Sequence, residues 1–123
     1  MQNHNSKFKI DFYKRLIKFS LEIISFSNDL KKNKILWSII DQLVRSATSI
    51  GANIIEAKAS SSKLDFLKYF QIALKSANET KYWLILIKES SPLFREKSDK
   101  LLKETDEISK IIGSAILTMK GKK

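Results

Sequence analysis

The chain offers little with which to make or break a bond. It has no cysteine, which excludes thiolate nucleophiles, thiolate metal ligands and disulfides together. Its one histidine, His4, stands in a polar N-terminal stretch where an imidazole is ordinarily solvated, and a metal site needs several convergent ligands. The 13 acidic residues form no dense carboxylate cluster of the kind a metal-dependent nuclease requires. Gly51, Gly113 and Gly121 are too widely separated to build a phosphate-cradling loop. No catalytic residue, metal or cofactor is expected, and the chain reads as a non-enzyme.

What the sequence has in abundance is positive charge. Lys and Arg number 23 against 13 Asp and Glu, a formal net charge of +10. Such a balance points to a polyanion, RNA or DNA, as partner. Only Arg15, Arg45 and Arg95 are arginine; every other basic residue is lysine. Lysine is a point charge on a flexible stem and attracts phosphate without fixing base identity, whereas arginine reads guanine edges bidentately. Binding should therefore be weakly sequence-specific and strongly salt-dependent. The candidate contacts are Lys7, Lys14, Arg15 and Lys18 on the first helix and Arg45 on the second. Changing Lys14, Arg15 and Lys18 to glutamine is expected to weaken binding with little effect on folding. The plain alternative for these residues is a solvated face, in a composition that an AT-rich genome would also produce.

Helical periodicity positions these charges. Phe12, Leu16, Phe19, Ile23, Phe26 and Leu30 step by four and three, the mark of one inward stripe. Leu36, Ile40, Leu43, Ala47, Ile50 and Ile54 repeat it, as do Phe66, Phe70, Ala73, Ala77, Thr80, Leu84 and Ile87, and then Leu101, Thr105, Ile108, Ile112, Ala115 and Met119. The pattern predicts helices over about 7–30, 34–58, 63–89 and 92–120, after a disordered tail at 1–6, in a single domain 7–123. Asn33 is placed to cap the second helix, Ser62 with Asp65 the third, and Ser91 ahead of Pro92 the fourth. No strand pattern survives. The fold class is all-α, an antiparallel up-down-up-down four-helix bundle. No apolar run could span a bilayer and none resembles a signal peptide, which fits a cytoplasmic protein with no membrane partner.

Two stretches exceed what a solitary bundle needs. Helix two carries Ser46, Ala47, Thr48, Ser49, Gly51 and Ala52 in mid-run, small residues that permit close crossing of another helix. Helix three has apolar residues well off its main stripe: Ile72, Trp83 and Leu86, with Tyr82 nearby. A second apolar face predicts a partner, most economically another copy of the chain. Arg45, Asn53, Glu56 and Glu79 are read as structural polar groups that pair across helices or subunits. An adaptor that binds a partner protein through the same face is the rival reading.

The run Gln42-Leu43-Val44-Arg45-Ser46-Ala47-Thr48-Ser49-Ile50-Gly51-Ala52-Asn53-Ile54-Ile55-Glu56 closely resembles a signature of the four-helix-bundle family of 23S rRNA intervening-sequence proteins. Asp65-Phe66-Leu67-Lys68-Tyr69-Phe70-Gln71-Ile72-Ala73-Leu74-Lys75-Ser76-Ala77-Asn78-Glu79 is similar to its second signature. The resemblance spans nearly the whole chain. It departs from the family's pattern at Ala57 and Lys75, where the family favours glycine. The resemblance implies a bacterial homo-oligomer, a barrel-like pentamer of bundles. It also implies a relation to the accessory proteins of diversity-generating retroelements, which associate with a reverse transcriptase and nucleic acid. For the rRNA-insert members it implies fold and assembly far better than biochemical role.

Overall fold

The computed structural model describes the backbone of residues 2–121 and the side chains of residues 7–121. Four helices follow one another: α1 (Gln2–Lys32), α2 (Trp37–Ala59), α3 (Lys63–Ser90) and α4 (Arg95–Met119), with a 3₁₀ turn at Pro92–Phe94 ahead of α4. The connections are too short for anything but antiparallel neighbours. α1 begins at Gln2 rather than near Lys7; the side chains of the expected tail, residues 1–6, lie outside the described set.

The α1 stripe is buried along its whole expected length, from Phe12 to Leu30. On α2, Ile40, Leu43, Ala47, Ile50 and Ile54 are buried, but Leu36 is 64% exposed because it precedes the helix as its N-cap. α3 reaches full burial only from Ala73 onward, since Phe66 and Phe70 stand at an open end of the bundle. On α4, Ala115 and Met119 are half-buried and Ile116 takes a core position instead.

The turn between α1 and α2 differs from expectation, for a backbone reason. The Ile35 N–H donates to Leu30 O at 3.2 Å and the Lys34 N–H to Lys31 O at 3.3 Å, while Lys34 takes φ of +61°. This is a Schellman stop for α1, with Ile35 folding back toward the core. Asn33 therefore closes α1 rather than capping α2; its amide donates to Asp29 O at 2.9 Å. α2 consequently starts at Trp37, without a side-chain cap. Left-handed backbone costs a non-glycine residue about 1–2 kcal/mol, partly offset by the extra chain entropy that glycine loses. Lys34→Gly is expected to raise stability by about 0.5–1 kcal/mol, read as a higher midpoint of urea unfolding with unchanged slope.

Ser62 caps α3 as expected, its hydroxyl accepting the Asp65 N–H at 3.1 Å. Ser91 precedes Pro92 as expected but makes no side-chain cap, and Pro92 opens a 3₁₀ turn instead of α4 itself. Phe94, at the end of that turn, meets Phe26 of α1 edge-on, with ring centroids 5.7 Å apart.

The small residues of α2 bring α2 and α3 together most closely. Ala47, Ala73 and Ala77 are fully buried between them. A hydroxyl ladder runs beside the alanines: Thr80 donates to Ser46 at 3.0 Å, and Ser49 and Ser76 share a hydrogen bond of 3.0 Å. Gly51 behaves differently. It faces α1, and a Cβ there would stand 3.6 Å from the Leu16 Cβ, an ordinary contact. It leaves a shallow apolar groove between α1 and α2, with exposed Ile17, Leu21 and Ile55 around it.

Candidate nucleic-acid interface

α1 and α4 are neighbours in the bundle yet approach each other least of the adjacent pairs. Between them lies an open groove of about 550 Å³. Phe19 and Leu101 form its floor, and Lys18, Lys97, Lys100 and Lys103 rise around it with Arg15, Glu22, Glu104 and Glu107. Lys97, Lys100 and Lys103 recur every third residue, so they advance about 9 Å along α4 at 1.5 Å per residue. A duplex strand presents one phosphate per about 3.4 Å of axis, so this run spans between two and three phosphate intervals.

The charges in the groove are not equivalent. Arg15 reaches across the seam and grips Glu104 with two hydrogen bonds of 2.7 Å, and Glu107 with a third of the same length. The Glu104 hydrogen bond first, then that to Glu107, holds the guanidinium still more firmly protonated than an ordinary arginine. Arg15 is therefore a tie between α1 and α4 and not an open phosphate contact. Its replacement removes a bidentate pair at a partly exposed site, so the triple change of Lys14, Arg15 and Lys18 touches folding as well as charge. Lys18, Lys97, Lys100 and Lys103, by contrast, are exposed and make no ion pair among the described residues. Glu22 lines the groove beside them without an ion pair, and Glu96 borders Lys100 and Lys103 on the adjoining surface, also unpaired among the described residues.

The other expected contacts scatter. Lys7 and Lys14 are exposed on α1 but do not line the groove, and Arg45 is exposed on α2. The sequence signal missed was the run Lys97, Lys100 and Lys103: its spacing was visible, but nothing local showed that α1 would stand off from α4 beside it.

The structural polar residues also resolve differently within one chain. Asn53 donates to Ser49 O at 2.8 Å on its own helix, and Glu79 accepts the Trp83 indole N–H at 3.0 Å on its own. Arg45 and Glu56 are exposed, with no ion pair among the described residues. Cross-helix ties come from other residues: besides Arg15, Lys81 bonds both Asp106 and Ser109 at 3.1 Å, and Lys88 pairs with Asp99 at 2.8 Å. The Lys81 hydrogen bond, followed by that from Lys110, holds the Asp106 carboxyl below the ordinary range.

Among the described residues no group of acidic, histidine or cysteine side chains could hold a metal, and no helix is long and apolar enough to cross a membrane. His4 lies among the residues whose side chains are outside the described set.

The chain matches the 23S rRNA-intervening sequence protein family over residues 9–114, which takes in α2 and α3 whole and most of α1 and α4. It belongs to that family. A crystal structure of a protein of unknown function from the S23 ribosomal protein family of Bacteroides thetaiotaomicron is 35% identical and superposes with a TM-score of 0.81. The match covers 85% of this chain and 97% of that one. No protein of curated function matches. Membership in the 23S rRNA-intervening sequence family thus agrees with the paired signatures on α2 and α3, while the basic groove lies on α1 and α4, away from both.

Proposed function

We propose that the protein is a non-enzymatic homo-oligomeric scaffold that holds RNA or DNA electrostatically, with the α1/α4 groove as the contact surface on each copy. The observation that carries this reading is the set of four lysines on that groove with no carboxylate partner. Ammonium groups left unpaired beside one another repel, and a phosphate chain relieves that repulsion while releasing its own counterions. The absence of arginine among the free groove cations fits backbone contact without base reading. Each contact is weak, so occupancy near physiological salt depends on several copies engaging one strand. The reading is tested by titrating single-stranded RNA and duplex DNA of several sequences across salt. Sequence-tolerant binding that falls steeply with salt supports it; no binding at any salt by the intact assembly would favour the protein-adaptor reading.

Assembly follows from apolar surface that one bundle leaves uncovered. Ile72 and Tyr82 are 36% and 55% exposed on α3, beside half-buried Trp83 and Leu86. A second apolar strip on α1 carries Ile17, Leu21 and Ile24, next to the groove at Gly51. Two unlike apolar faces on one chain suit head-to-tail contact, which closes into a ring when the rotation between copies divides a full turn; the pentamer implied by the family resemblance is such a ring. Trp83 also packs against the core, so Tyr82→Glu is the cleaner probe. It is expected to dissociate the oligomer in light scattering while helix content is retained. A stable monomer of the unmodified chain at micromolar concentration would remove the assembly from the proposal.

A further inference from the structure

A third, equally open cleft lies toward the end of the bundle where α1 begins and α4 ends. It has a volume of about 650 Å³, within the range of roughly 300–1,000 Å³ that holds small ligands. Its walls are apolar and aromatic: Phe12 from α1, Ile54 from α2, Phe66 and Phe70 from α3, and Ile111 and Met119 from α4. Phe66 and Phe70 stack with centroids 4.8 Å apart, making one flat wall. No acidic residue lines it, and its only charged lining residues are Lys9 and Lys110.

Both lysines are exposed, so their ammonium groups stand at the mouth and not in the well. Lys110 is steadied by Asp106 at 3.1 Å, which leaves other N–H donors free. A third cation adjoins them: the Lys58 ammonium lies over the ring of Tyr13, 5.2 Å from its centroid, and Tyr13 itself lines the well. The contrast with the rest of the molecule is specific. The groove at Gly51 is apolar without a charged lining residue, and the α1/α4 groove mixes lysine with glutamate. Of the described cavities with lysine and no acid in the lining, this is the larger and the more apolar: the other, at the turn between α2 and α3, is about 340 Å³ and is lined by Ser60, Ser61 and Ser62.

We infer that this end cavity binds a single-chain carboxylate amphiphile, a fatty acid, with its alkyl chain against the aromatic wall and its carboxylate held between Lys9 and Lys110. A neutral lipid would fill the well but leave Lys9 without a counter-charge and Lys110 with Asp106 alone. A nucleic acid would answer the cations but bring no apolar surface to desolvate the wall.

The full chain is titrated with dansyl-undecanoate and, separately, with its methyl ester, which keeps the alkyl chain and removes the charge. The acid is expected to bind saturably with one site per chain, and the ester about tenfold more weakly, the loss of one charge-assisted contact. Lys9→Gln with Lys110→Gln should lower affinity for the acid about tenfold and leave the ester unchanged. Ala115→Trp, and independently Thr118→Trp, should fill the well and abolish binding of both probes while circular dichroism and thermal melting stay native. Non-saturable partitioning, equal affinity for acid and ester, or binding that survives both tryptophan variants would overturn the inference. So would tryptophan variants that change the oligomeric state of the ligand-free protein, because the well would then be a contact between copies. RNA binding by these variants is expected to stay at the unmodified level, which separates failure here from failure of the scaffold reading.

Discussion

With Lys18, Lys97, Lys100 and Lys103 all changed to glutamine, the protein is expected to lose most of the salt dependence of its RNA and DNA binding. Each phosphate neutralised on a duplex contributes about 0.9 to the log–log salt slope, so four contacts give about 3.6. Between about 50 and 200 mM salt the unmodified chain should then lose roughly a hundredfold in affinity. The variant should already sit near that weakened level at low salt. Its fold should be intact, since all four side chains are exposed and unpaired and each surface change is worth within about 0.5 kcal/mol. A matched control changes Lys7, Lys14, Arg45 and Lys68, which removes the same charge from outside the groove. Filter binding or fluorescence anisotropy reads both variants. Equal losses in the two would show that net charge acts without a site, and an unaffected quadruple variant would move the interface elsewhere.

Phe26→Ala is expected to be the most damaging of the single changes considered, at about 3–5 kcal/mol of folding stability. Phe26 is 1% exposed and its ring meets Phe94 edge-on, joining α1 to the turn between α3 and α4. Because α1 and α4 stand apart over much of their length, little else could close over the void there. In a chain of this size the loss corresponds to a fall in melting temperature on the order of 10–25 °C. Arg15→Gln, which removes the tie across the same seam farther along, should cost no more than about 1 kcal/mol, because its groups remain partly in water. Urea unfolding of both variants gives the comparison. A Phe26 variant no weaker than the Arg15 variant would mean that charge, and not the aromatic contact, fastens α1.

Part of this was written in the chain. Periodicity gave the buried stripe of α1 residue by residue, because a helix repeats every 3.6 residues whatever it packs against. Ser62 was legible as a cap because its hydroxyl acts only three residues away. Asn33 was misread for a related reason. A polar residue between two helices can serve either, and Lys34 adopting a left-handed backbone without being glycine gave no sign in the sequence that α1 would stop in a Schellman turn. The paired signatures on α2 and α3 pointed to the family, since they coincide with the most closely packed pair of helices, where residue size is constrained at each position.

The sequence by itself determined that the protein is a basic all-α bundle, because composition and helical spacing are properties of the chain alone. Only the tertiary structure decided what each charge does. A helical wheel sets Arg15 and Lys18 on adjoining parts of one face, but which of them meets a carboxylate depends on how far α4 stands from α1 and on its rotation about its own axis. That arrangement binds Arg15 to Glu104 and Glu107 and leaves Lys18 unpaired in the groove that Lys97, Lys100 and Lys103 also line. The pairing of distant charges is set by packing of the core between them, over separations in sequence that no local pattern encodes.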